Sequence, residues 1–247
     1  MIKHILALAV AAAVASPAHA LTAGALAFTP LNAAVDNGAV AARVDIAART
    51  TVFFSDNEWN GTAFADTNEH TLTWSTGAGV IAAGTVVSFT EIDATTDTIT
   101  ASIGTLALAS GGGTNLGLSA SGDTFYAYLG TGALAPTTFL TALTSEATTT
   151  NVTNAGLTVG TNAIALVSSA DFGEYTAARS GATTFADYKP ALFDNTNWND
   201  VATGDFSASV PNTTAFTLSP IPEPQTYAMM LAGLMAMGFV ASRRNMS

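Results

Sequence analysis

The feature that most limits the possible folds is a recurrence of short β-branched and aromatic runs, each closed by a turn signal before a helix could propagate. Thr50-Thr51-Val52-Phe53-Phe54 is stopped by Ser55-Asp56-Asn57. His70-Thr71-Leu72-Thr73-Trp74-Ser75 alternates polar and apolar residues, which puts Leu72 and Trp74 on one face of a strand. Gly84 introduces Thr85-Val86-Val87-Ser88-Phe89-Thr90, and comparable runs cover 98–108, 124–129, 163–167 and 215–218. Gly111-Gly112-Gly113 reads as a loop. Two short helical turns are expected at 136–143 and 183–192, where Phe, Leu and Tyr recur at three- and four-residue spacing. Strands of this length and pitch predict an all-β fold, an antiparallel β-sandwich with one or two short helices. No glycine fingerprint in a βαβ context and no fixed-period repeat is present, which excludes Rossmann and solenoid folds.

Both ends read as addresses and not as parts of that fold. Lys3 and His4 precede an apolar run from Ile5 to Val14, Ser16-Pro17 breaks it, and Ala18-His19-Ala20 has the A-x-A form of a cleavage site. This is the layout of a secretory signal peptide cut after Ala20, and its apolar run is too short to span a bilayer. At the other end Pro222-Glu223-Pro224 is followed by an apolar stretch from Tyr227 to Ala241 and then by Arg243-Arg244. The prolines end any preceding strand, Thr226 can cap a helix, and the arginines act as a cytoplasmic stop under the positive-inside rule.

That ending resembles the PEP-CTERM sorting signal of Gram-negative bacteria that make extracellular polysaccharide. The resemblance rests on Pro222, Glu223 and Pro224, the span beginning Thr226-Tyr227-Ala228-Met229, and Arg243-Arg244. It implies an exosortase-type processing enzyme as partner and a transient membrane anchor through the C-terminal helix. It further implies release to the cell surface or medium, in association with exopolysaccharide and biofilm. The expected organisation is a signal peptide at 1–20, a β-sandwich ectodomain at 21–219 and a sorting segment at 220–247. The stretch from Phe28 to Trp198 also resembles an uncharacterised secreted bacterial module, through Val44-Asp45-Ile46-Ala47, Phe53 to Gly61, Leu72-Thr73-Trp74, Ile81 to Val87 and Ser119 to Asp123. More distantly it is similar to lamin-tail-type immunoglobulin-like sandwiches.

Charge and residue inventory narrow the chemistry. Between 21 and 221 lie four basic and seventeen acidic residues, a net charge of −13. Such a surface repels nucleic acid and anionic lipid and recruits cations. With no cysteine there is no disulfide, thiolate metal site or cysteine nucleophile. His70 is the one histidine between the two sorting segments, so zinc and Ser-His-Asp chemistry are poorly supplied, and Gly117-Leu118-Ser119-Ala120-Ser121 lacks the second glycine of a nucleophile elbow. No catalytic residue is assigned. The chain reads as non-enzymatic, and a secreted hydrolase with a spatial pair of acids is the weakest alternative.

Two binding chemistries remain. Asp56, Glu58 and Asn60 alternate ahead of Gly61, as in the first half of an EF-hand loop, with Asp66 one place short of the bidentate position. Calcium at Asp56, Glu58, Asn60 and Asp66 is one expectation, and plain Asx turns are the other. A second Asx cluster runs from Asp194 to Asp200. Trp59 and Trp198, in polar loops, can offer stacking faces to a carbohydrate, whereas Trp74 reads as core. The Thr-rich run 144–153 reads as a solvated loop.

Overall fold

The structure is a computed structural model describing residues 20–65, 67–69, 71–90, 92, 99–109, 119, 122–220 and 228–237. Within them the chain is a β-sandwich of two six-stranded sheets. The strands are β1 (Leu26–Asn32), β2 (Asn37–Ala42), β3 (Thr51–Ser55), β4 (Thr71–Ser75), β5 (Val86–Thr90), β6 (Thr100–Ala101), β7 (Thr105–Leu108), β8 (Thr124–Gly132), β9 (Ala135–Thr144), β10 (Ala163–Ala165), β11 (Phe172–Tyr175) and β12 (Trp198–Val201). Sheet one has the order β12-β11-β1-β2-β5-β6, and sheet two the order β10-β9-β8-β3-β4-β7. All pairings are antiparallel except that of β10 with β9, so sheet two is mixed.

Alternation along the strands builds the core. Val52 and Phe54 of β3, Leu72 and Trp74 of β4, and Phe125 and Ala127 of β8 point between the sheets, where they meet Leu26 and Phe28 of β1 and Val87 and Phe89 of β5. Phe54 lies 4.9 Å from Phe89, and Trp74 lies 5.5 Å from Phe89, so aromatic rings join the two layers. The opposite face of sheet two is buried as well. Phe53, Tyr126 and Tyr128 pack there beneath Phe64 from the β3–β4 connection and Val152 and Leu157 from the β9–β10 connection. Thus the connection after β3 is held down on the sheet, although its composition is that of a polar loop.

Several expectations needed correction. Residues 136–143 are not helical but lie in β9, the longest strand. The apolar three- and four-residue spacing there coexists with β-branched threonines, and the hairpin with β8, closed by Ala133-Leu134, takes the segment into the sheet. Residues 215–218 form no strand; they are held by an isolated bridge, Ala182 to Leu218, and by single backbone bonds from Phe216 N to the carbonyl of Gly84 and from Thr217 N to that of Arg179. The Thr-rich stretch is partly helical, with α1 at Thr150–Asn154. The expected turn at 183–192 is present as a 3-10 turn at Phe185–Tyr188, capped by Thr184 and Asp187, running into α2 (Lys189–Leu192). Gly111-Gly112-Gly113 lies outside the described residues.

Leu21 is buried and Ala20 exposed, and near the end of the body Ser219 N donates to the carbonyl of Ala182. Residues 228–237 are helical, with Met229, Leu231 and Met235 exposed. Among the described residues no helix is long and apolar enough to cross a membrane.

Candidate functional site

Strand β3 lies between β4 and β8, antiparallel to both. Its end therefore meets the beginnings of its two neighbours. Ser55, the last residue of β3, is paired with Thr71 on one side and Tyr126 on the other. The residue after β3 is Asp56, the approach to β4 carries Glu69, and the residue before β8 is Asp123. Three acids separated by up to 67 positions are thereby gathered at one end of sheet two. One carboxylate oxygen from each lies within 4.8 Å of the others.

The three are held differently. Asp123 is buried and fixed by the backbone: its Oδ1 accepts from Thr124 N at 2.7 Å and its Oδ2 from Ser119 N at 3.2 Å. Asp56 is 0 % exposed, and neither of its carboxylate oxygens has a hydrogen-bond partner. Glu69 is half-buried. Next to Asp56, Asn57 is also fully buried; its Nδ2 donates to Ser55 Oγ at 2.7 Å and to the carbonyl of Glu69 at 3.1 Å, leaving Oδ1 without a partner.

The electrostatics follow from this arrangement. Burial, then the negative charges of Asp123 and Glu69, push the Asp56 carboxyl up to about 9, against a smaller opposing effect of its own backbone amide, which does not reach hydrogen-bond geometry. Burial likewise pushes Asp123 up to about 6, against the opposing effect of its two backbone donors. Glu58 adds repulsion to both carboxyls. No basic side chain enters the cluster among the described residues. A buried carboxylate with neither donor nor cation is costly, so the site is complete only with a proton or a bound cation.

The residues anticipated from the sequence are distributed as follows. Of Asp56, Glu58, Asn60 and Asp66, only Asp56 belongs to the three-acid cluster. Asn60 is exposed, and its Oδ1 accepts from Thr62 N and Ala63 N, an Asx turn. Glu58 acts on the cluster only through its charge. Asp66 and His70 lie outside the described residues, as do Ala18, Pro222, Glu223, Pro224, Arg243 and Arg244. In the second Asx cluster, Asp194 Oδ1 accepts from Thr196 N at 3.0 Å, and Asp200 Oδ2 accepts from Val167 N at 2.5 Å.

The tryptophans do not form a shared platform. Trp198 is buried, packs against Tyr175 and donates Nε1–H to the carbonyl of Leu192 at 3.0 Å. Trp59 is half-buried on the far face of sheet two, 5.1 Å from Phe64 and 5.3 Å from Phe139. Trp74 is fully buried, and its Nε1–H is satisfied by the carbonyl of Ile103.

Glu69 and Asp123 escaped the sequence reading because their partnership with Asp56 depends on sheet order. The available signal was positional: each acid stands beside the end of a strand run. The chain matches no family model, no curated protein and no solved structure.

Proposed function

We propose that this chain is an exported, non-enzymatic surface or extracellular-matrix protein, delivered by a signal peptide and sorted through its C-terminal segment by an exosortase-type enzyme. Its sandwich, of the immunoglobulin-like or lamin-tail type, is the working body of the mature protein, associated with exopolysaccharide in a biofilm matrix. The observation that carries the reading is the ordered series of Pro222-Glu223-Pro224, an apolar stretch and Arg243-Arg244, which follows Ser219, a residue whose N–H is bonded to the carbonyl of Ala182 in the sandwich. At the other end, Leu21, the first residue after the expected cut at Ala20, is buried against the sandwich core. The exposed apolar side chains of 228–237 suit transient residence in a membrane before processing. Polar hydroxyl and amide side chains and a low density of charge, 10 % of the sequence, suit a hydrated polysaccharide surrounding.

The test is expression of the full chain in a Gram-negative host with an exosortase and in the same host lacking it, followed by intact-mass measurement. The reading expects a mature N-terminus at Leu21, and loss of the tail near Pro222 only where the exosortase is present. Substitution E223A is expected to retain the tail in the membrane fraction. An identical, unprocessed C-terminus in both hosts would overturn the sorting assignment.

A further inference from the structure

We propose that Asp56, Glu69 and Asp123 form a divalent-cation site at the end of sheet two that takes calcium. The inference is independent of the sorting reading, since it rests only on the sandwich. Clustering of acids is one observation, and the state of Asp56 is a second: a fully buried carboxylate with no hydrogen-bond donor on either oxygen. Each is unfavourable for the isolated protein, and one bound cation relieves both.

The dimensions and the chemistry of the donors select the ion. Calcium binds oxygen at about 2.3–2.6 Å, so ligand atoms on opposite sides of it are roughly 4.6–5.2 Å apart. The three carboxylate oxygens, all within 4.8 Å of one another, fit around such an ion without displacement of a strand. The donors are oxygens only, which disfavours zinc and copper. Calcium's flexible coordination accepts additional oxygens from water, so three carboxylates are enough to seed the site. Asp123 is already oriented by Thr124 N and Ser119 N, so one ligand is preorganised by the backbone.

This site differs from the contiguous loop expected from the Asp56-to-Gly61 pattern. It draws on three strand ends and makes no use of Asn60, whose side-chain oxygen is engaged in its own turn. Binding would tie the beginnings of β4 and β8 to the end of β3, and thereby fix the connection after β3 on the outer face of sheet two.

The experiment is isothermal titration calorimetry of the full-length chain in mild detergent, stripped with EDTA, returned to chelator-free buffer and titrated with calcium chloride. Far-UV circular dichroism of every variant monitors folding. The expected result is one calcium per chain with a Kd of about 1 mM or tighter. D56N and D123N, which keep side-chain shape and relieve repulsion, are expected to fold and to weaken binding by about tenfold or more. N60A is expected to leave the affinity within roughly twofold, because its oxygen belongs to a turn. Absence of binding at about 10 mM calcium by a folded wild-type chain would overturn the proposal. So would binding that survives both D56N and D123N, or binding abolished by N60A alone.

Discussion

Asp123 receives two backbone N–H donors on its carboxylate, whereas Asp56, in the same cluster and 0 % exposed, receives none. Two acids of one type, gathered at one strand end, thus have opposite local support. The unsupported one has the more strongly raised carboxyl, about 9 against about 6. The β8–β3–β4 order brings the two acids together, and the asymmetry arises because Asp123, just ahead of β8, accepts from the first amide of that strand and from Ser119 on its approach.

Calcium should stabilise the protein measurably. For a Kd of about 100 µM, roughly 10 mM free calcium adds about 2.7 kcal/mol to unfolding. For a chain of this size that corresponds to a rise in Tm of about 5–10 °C. Differential scanning calorimetry in EDTA and in calcium checks this. D56N is expected to raise the Tm of the EDTA-treated protein above that of the wild type and to remove most of the calcium-dependent rise. A lower Tm for D56N in EDTA would show that the Asp56 carboxyl is supported in a way that the structure does not display.

Without metal, the protein should lose stability as pH rises. Asp56 and Asp123 have folded-state values of about 9 and about 6, both above the usual aspartate range. Over the window from about pH 4 to about pH 9 the folded chain therefore holds protons that the unfolded chain has released, and ΔG of unfolding falls with pH. The slope for one such group is at most about 1.4 kcal/mol per pH unit. Melts in EDTA at pH 5, 6, 7 and 8 should show a declining Tm, with the steeper part below about pH 6, where both groups contribute. Saturating calcium should flatten the decline, since the metal binds the ionised form. A Tm in EDTA that rises from pH 5 to pH 8 would contradict the burial of these acids.

The sandwich was legible in the sequence wherever polar and apolar residues alternate. Thr71-Leu72-Thr73-Trp74 predicts a strand with one buried face, and β4 is that strand. β1, whose seven residues are all buried, has no such alternation, because it is covered on both faces and Ala, Thr and Pro fill the second one. The spacing that suggested a helix at 136–143 was real but indecisive, since long-range pairing with β8 outweighs a short local period. At the site, Asp56 was visible from its Asx pattern. Glu69 and Asp123 were not, because nothing local shows that β8 lies beside β3.

The tryptophans should separate by stability and not by ligand binding. Trp198 is 7 % exposed and its indole N–H is bonded to Leu192, so W198A is expected to cost about 3–5 kcal/mol. Trp59 is half-buried over Phe64 and Phe139, so W59A should cost less, about 1–2 kcal/mol. Urea unfolding of the two variants checks the order. A larger loss for W59A would mean that the aromatic cover on sheet two outweighs the packing around Tyr175.

Two glycines with positive φ should respond very differently to alanine. Gly84 has φ +88°, donates N–H to the carbonyl of Ala42 at 2.7 Å, and accepts from Phe216 N at 2.8 Å. A Cβ there would run into the ring of Phe185 and the backbone oxygen of Phe216, the contacts by which the C-terminal segment is fastened to β2. Gly61 has φ +103°, and nothing lies within 4 Å of where its Cβ would be. G61A therefore incurs backbone strain alone, about 1–2 kcal/mol. G84A incurs that strain plus overpacking of about 1–3 kcal/mol, for a total of roughly 3 kcal/mol or more. Urea unfolding measures both. G84A should also expose the 185–219 segment to limited proteolysis while G61A does not. Equal losses would mean that Phe185 swings aside at little cost and that the segment is anchored instead through Tyr188, whose hydroxyl donates to the carbonyl of Thr217 at 2.5 Å.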